Sequence, residues 1–228
     1  MQAQAGERVR GQRDAEATKE ALLDAGSELF ATHGFDGTTV DMIARRARAN
    51  KAMISYYFGG KERLYEQILI STFSEVGSRI ETLLEGSGSA DEMLRAFAEM
   101  FGELTARRPH FPAMMMREAI SGGRHLSERV LPVFRDMFVK VRRIYEQGIE
   151  EGTFRAVDPV LTHLVVMGSL LFFFATEPMR ARLIADGGLP VAQAPQPEAF
   201  IANLQEILVR GLVVESGASP AAADGPAR

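Results

Sequence analysis

Three observations on the 228-residue chain predict an all-α protein, built as a small three-helix unit followed by a larger helical domain. Apolar residues recur at three- and four-residue spacing through most of its length, the period of a helix face. Gly, Pro and capping residues punctuate that period at helix-sized intervals. No strand pattern of any length interrupts it, and no internal repeat is visible.

Residues 1–14 are polar, rich in Arg, Gln and Gly, and without apolar period, so a flexible arm is expected there. Its Arg8, Arg10 and Arg13 read as a solvated start, with entry into a DNA minor groove as the alternative. From Ala15, the residues Leu22, Ala25, Leu29 and Phe30 fall on one helix face, and Gly34 supplies a stop. After the Asp36-Gly37 turn, Thr39 is suited to cap a short helix that carries Val40, Ile43, Ala44 and Ala47 on one face. Asn50 can cap another, 51–58, with Ile54 and Phe58 turned inward. Gly59-Gly60 then breaks the chain. Residues 15–60 form the first domain on this reading.

The larger domain is predicted over 61–215. A long helix, 61–85, carries Leu64, Ile68, Phe73 and Val76, and a Gly-Ser connector follows it at 86–89. Helices are expected at 90–106 and 113–120, with Pro109 and Pro112 bracketing the break between them. A further helix, 130–151, closes at Gly152, and Asp158-Pro159 opens a very apolar one, 160–176. Pro178 marks a boundary or kink, 187–197 is read as loop, and 198–214 is the last helix. The tail 216–228 is rich in Ala, Pro and Gly and is expected to be disordered.

Composition narrows the function. A content of 46% hydrophobic and 25% charged residues is ordinary for a globular chain. The longest apolar stretch, 164–175, is twelve residues, whereas a membrane span needs about 20, so no membrane role is expected. The first thirty residues lack the apolar core of a secretory leader, and there is no cysteine, which together point to the cytoplasm. The net charge of −4 speaks against nucleic acid until its distribution is considered. Between Met42 and Lys61 stand Arg45, Arg46, Arg48, Lys51 and Lys61 and no carboxylate.

Two short capped helices with small or branched residues where they cross, Ala44 and Ile54, satisfy the packing needs of a helix-turn-helix. Such a unit lays the start of its second helix in the major groove of double-stranded DNA. Asn50, Lys51, Ala52, Met53 and Ser55 would then lie near base edges, and Tyr56, Tyr57 and Lys61 near phosphates. Arg45 and Arg46 are either phosphate contacts or an exposed helix face.

The run Phe35, Asp36, Gly37, Thr38, Thr39, Val40, Asp41, Met42, Ile43 and Ala44 is followed by Ala47 and then Asn50, Lys51, Ala52, Met53, Ile54, Ser55, Tyr56, Tyr57 and Phe58, with Lys61-Glu62 beyond. This run resembles the DNA-binding domain of TetR/AcrR-type repressors, over about residues 18–69. Further on, only the helical layout and the Gly152, Phe154, Asp158-Pro159 run are similar. The resemblance implies that Thr39 caps the second helix and touches phosphate, that Lys51, Ala52 and Met53 read bases, that Tyr56 and Tyr57 grip phosphate, and that Lys61 meets the DNA backbone. Arg48 stands where the family usually has Gly, so a left-handed turn there would cost roughly 1 kcal/mol unless a phosphate contact offsets it. Ser55 stands where an aromatic residue is common, so the operator sequence does not transfer from relatives.

The second domain is rich in Met and Phe at helical spacing. Core packing explains any one of them, but together they suggest an adaptable apolar pocket for a small-molecule effector, formed by Phe97, Met100, Phe101, Met115, Phe134, Phe138 and Met167. His163, on the most apolar helix, is the candidate polar contact, or else a satisfied core histidine. His110, His125 and His163 show no metal-ligand spacing, and Gly59-Gly60-Lys61 lacks the other residues of a phosphate loop. No cofactor and no catalytic set is indicated. The expected function is a homodimeric repressor, paired through helices 160–176 and 198–214 and released from its operator by ligand. The alternatives are an activator or architectural factor without ligand and, more remotely, a helical-bundle enzyme.

Overall fold

The computed structural model describes residues 2–188 and 193–214, with side chains from residue 14 onward. Among the described residues the helices are α1 (Gln2–Gly37), α2 (Val40–Arg46), α3 (Ala52–Phe58), α4 (Lys61–Glu85), α5 (Ala90–Arg107), α6 (Phe111–Ile120), α7 (Leu131–Glu150), α8 (Pro159–Ala175), α9 (Glu177–Ala185) and α10 (Pro197–Leu212). The all-α expectation therefore holds. Among the described residues the sole β feature is one isolated bridge, Phe154 to Val213.

Three differences from the sequence reading have local causes. α1 starts at Gln2, where a flexible arm without structure was expected. The Ala, Glu, Gln and Arg of that segment are strong helix formers even without an apolar face. α6 starts at Phe111, so Pro112 lies within its first turn, where proline's missing N–H costs nothing. Pro178 likewise opens a helix, α9, which the sequence reading left unassigned. The expected tail at 216–228 lies outside the described residues.

α1, α2 and α3 fold around Leu22, Phe30, Ile43 and Ile54, and Leu64 of α4 closes this small core. α4 then passes into the second domain and packs along α7, with Leu69, Phe73 and Ile80 buried. α5, α6, α8 and α10 complete that domain. α6 also packs on α1, so the two domains meet at a second place besides the shared α4.

The end of α10 is tied to the α7–α8 turn by Arg155 N to Leu212 O at 2.8 Å and Val214 N to Thr153 O at 2.9 Å. Phe154, 2% exposed, folds over Gly148, where an added Cβ would sit 2.2 Å from the ring. No single described helix is long and apolar enough to cross a membrane. α8 and α9 pass that length and composition test only as a pair, bent by 53° at their junction.

Candidate nucleic-acid interface and the second-domain core

The recognition unit is held by its caps. Thr39 is extended (φ −111°, ψ 156°), and its side chain accepts from Met42 N at 3.2 Å, as expected of an N-cap. Asp41 in the first turn and Arg45 and Arg46 in the last complement the dipole of α2. α3 begins one residue later than expected, so its N-cap is Lys51, without a side-chain cap, rather than Asn50; Asn50 Oδ1 still accepts from Ala52 N at 2.9 Å. Gly59, at φ 80°, ends α3 with its N–H on Ser55 O at 2.9 Å.

Between the two helices, Arg48 has φ 54°, and among the described residues no other non-glycine residue has positive φ. Its left-handed backbone lets Ala49 N reach Ala44 O at 2.9 Å, which closes α2. The turn therefore keeps the geometry that glycine usually supplies. Among the described residues, Arg45 and Arg48 have no carboxylate within 4.0 Å.

Ile43 and Ile54 are fully buried and Ala44 nearly so, which fixes how α3 sits on α2. Lys51, Ala52, Met53, Ser55 and Tyr56 consequently form one exposed strip, with Tyr56 79% exposed. Tyr57 is half-buried and packs edge-on to Tyr56, with ring centroids 5.0 Å apart. Lys51 lies 3.3 Å from Asp41, a solvent-exposed pair of the kind that contributes little and that a phosphate can replace.

Lys61 departs from expectation. Its ammonium donates to Phe35 O and Thr38 O, both at 3.0 Å, and lies 4.1 Å from the Phe35 ring centroid. It fastens the start of α4 to the α1–α2 turn, and two of its three donors are spent inside the protein rather than facing a DNA backbone.

A polar junction, not foreseen from the sequence, joins this unit to the second domain. The Tyr65 hydroxyl on α4 donates to Glu118 Oε2 on α6 at 2.9 Å. Glu118 is 2% exposed and also accepts from His125 N at 2.7 Å, with His125 Nδ1 at 3.0 Å. Burial, together with the Glu118 carboxylate, pushes the Tyr65 phenol well above its ordinary value and keeps it a donor. The His125 ring packs on Phe35, centroids 4.6 Å apart. One residue earlier on α6, Arg117 donates to Ala31 O and Thr32 O, each at 2.6 Å, on the α1 segment just before the kink at Gly34.

The eight expected ligand residues divide among several places. Phe97, Phe138 and His163 come together, with His163 5.0 Å from Phe138 and 6.4 Å from Phe97 between ring centroids. Tyr145, which was not among the expected site residues, joins them, its ring centroid 6.5 Å from that of His163. Its phenol on an apolar helix face was the signal available. Phe134 instead meets Phe73 at 5.2 Å, and Phe101 meets Phe174 at 5.9 Å. Met100 is buried, and Met115 and Met167 are half-buried. Burial lowers the His163 imidazole to about 4, so it is neutral at pH 7.

Two clefts lie elsewhere. A 560 Å³ cleft between the domains is lined by Asp24, Glu28, Arg46, Arg48, Arg108 and His110 among others. A 700 Å³ cleft between α5 and α10 is lined by Gly102, Phe174, Ile201 and Gln205 among others. None of the eight expected residues lines either.

Residues 22–68 match the family described as bacterial regulatory proteins, tetR family, and residues 91–188 match a tetracyclin repressor-like C-terminal domain. An HTH-type transcriptional repressor of Streptomyces coelicolor is 34% identical over 188 residues, 77% of this chain and 88% of that one. The HTH-type transcriptional repressor NicS of Pseudomonas putida is 26% identical over 207 residues, 90% of this chain and 96% of that one. Among solved structures, the transcriptional regulator FadR of Bacillus subtilis in complex with stearoyl-CoA matches with a TM-score of 0.64 at 19% identity, over 84% of this chain and 98% of that one. With its capped helix-turn-helix, its helical second domain and these relatives, the chain belongs to the tetR family of bacterial transcriptional regulators.

Proposed function

We propose that the chain is a homodimeric repressor that holds a DNA operator through α3 and releases it when a small molecule occupies the α4–α8 core. The observation that carries the DNA reading is the exposed strip of Lys51, Ala52, Met53, Ser55 and Tyr56, on a helix whose other face is locked by Ile54. Major-groove reading needs such a strip on a rigid support. Arg45 and Arg48 flank it and are free of carboxylate partners among the described residues, which suits them to phosphate.

Pairing is supported by the outer faces of α8 and α10. Leu161, Leu164, Val165 and Phe172 on α8 and Ile207 on α10 are each more than half exposed, large apolar side chains that a second copy would cover. A second copy set against them makes a four-helix bundle and fixes the distance between two recognition helices. Half-sites one turn apart require about 34–36 Å between their centres, so a ligand that favours another spacing lowers DNA affinity.

The repressor names of the Streptomyces and Pseudomonas relatives support the sign of regulation, and the complex of the Bacillus regulator with stearoyl-CoA supports a small-molecule ligand. A DNA-binding regulator of this kind acts in the cytoplasm. Two measurements test the reading. Analytical ultracentrifugation is expected to give a dimer, and a metabolite library applied to the operator-bound chain is expected to contain a compound that raises the operator dissociation constant at least about tenfold, about 1.4 kcal/mol of coupling. A monomer, or a library in which no compound releases the DNA, overturns the corresponding part.

A further inference from the structure

Among the described residues, three side chains of the second domain bury a hydrogen-bonding atom that has no partner: Arg180 on α9, and His163 and Tyr145 on α8 and α7. His163 is 7% exposed and its Nδ1 is unbonded; Tyr145 is 0% exposed and its hydroxyl is unbonded. Both belong to one aromatic cluster, with their ring centroids 6.5 Å apart and Phe138 and Phe97 completing the wall. Buried polar groups in folded proteins are nearly always paired, so two orphans in one cluster mark a place where a partner is supplied from outside.

The chemistry of that partner is restricted by what surrounds it. The buried residues of α5, α7 and α8 include no Lys, Arg, Asp or Glu. A carboxylate, phosphate or ammonium placed there would be buried without a countercharge, at a prohibitive desolvation penalty. His163 does not supply one, because burial keeps the imidazole neutral at pH 7. The phenol and the neutral imidazole can each donate or accept, so they match a group that does both. The flat walls given by Phe97 and Phe138 favour a ring over an extended chain. Met100 and Met167, on the same helices, are side chains that can shift to make room.

Resting on the reading that a ligand releases the operator, we propose that the effector is an uncharged ring compound whose single hydroxyl or carbonyl group hydrogen-bonds between His163 Nδ1 and the Tyr145 hydroxyl. The proposal is distinct from mere ligand responsiveness. It excludes free acids, amines and phosphorylated compounds as occupants of this cluster.

The test uses the full chain, 15N-labelled at histidine, and four probes of similar size: 4-methylphenol, toluene, benzoate and benzylammonium. Binding is followed by calorimetry and by the His163 imidazole resonances. The expected result is that 4-methylphenol binds and moves the His163 signals, toluene binds more weakly, and neither charged probe binds. Tyr145→Phe weakens 4-methylphenol about threefold to tenfold, the effect of one hydrogen bond, and leaves toluene unchanged. His163→Leu does the same, so the result does not depend on one variant's folding.

Three results overturn the proposal: benzoate or benzylammonium binding in preference to 4-methylphenol, no probe moving the His163 signals, or both variants binding 4-methylphenol as the native chain does. The last two outcomes also cover a cluster whose orphans are served only by trapped water. If a charged compound from the metabolite library releases the operator without moving His163, the ligand-release reading stands and this assignment falls. If no compound of any charge releases it, the ligand-release reading itself has failed.

Discussion

The Tyr65 hydroxyl and the Glu118 carboxylate, 53 residues apart in sequence, meet at 2.9 Å where the long helix leaving the recognition unit crosses α6. Glu118 in turn holds His125, whose ring lies on Phe35 beside the α1–α2 turn. Tyr65, Glu118, His125 and Phe35 thus form a continuous chain of contacts between α6 and the base of the helix-turn-helix. Tyr65→Phe removes the phenolic donor and leaves Glu118 buried with His125 alone. Its expected cost is about 1–2 kcal/mol of stability in denaturant titration. The response of operator affinity to effector is expected to fall further than operator affinity itself, as fluorescence titration with and without ligand would reveal.

Arg48 at φ 54° holds a conformation that glycine adopts without strain. Arg48→Gly is therefore expected to stabilise the free protein by about 1 kcal/mol while weakening DNA binding. If Arg48 meets a phosphate, the slope of log K against log salt drops in magnitude by about one, which titration at several salt concentrations measures.

Gly148 has no room for a side chain, since a Cβ would stand 2.2 Å from the Phe154 ring. Gly148→Ala is expected to lower stability by about 1–3 kcal/mol through overpacking. It loosens the tie between the α7–α8 turn and the end of α10, and chemical denaturation reads the loss.

His163 makes stability depend on pH in mild acid. Its folded value is about 4 against an ordinary 6.5, so between those limits the unfolded chain holds a proton that the folded chain does not. Stability therefore rises with pH across this window and is lost as pH falls from about 6.5 toward 4. At full extent the loss is on the order of 3 kcal/mol. His163→Leu removes this dependence, so the difference between the two pH–stability curves isolates it.

Local chemistry made much of this legible in the sequence. Thr39 and the Gly59 stop act within three or four residues of themselves, and the structure has each in its expected role. α4, with apolar residues on one face between Gly60 and Gly86, has the bounds its periodicity predicts. Pro178 misled because the same residue that ends one helix can open the next. The role of Lys61 was not legible, because its acceptors at Phe35 and Thr38 are brought close only by the turn between α1 and α2. Phe134 and Phe101 share a helical period with their neighbours on α7 and α5, yet period alone does not say which aromatic partner each finds across the core.

The central claim is that the exposed strip of α3 reads DNA sequence. Its most direct test is selection of genomic fragments by the purified full chain at fixed salt, repeated with Lys51→Ala and Met53→Ala. The account predicts one shared, two-fold symmetric motif with half-sites about one helical turn apart, or a multiple of that, and its loss or alteration in both variants. Fragments without a common motif, or a motif unchanged by both substitutions, would contradict it.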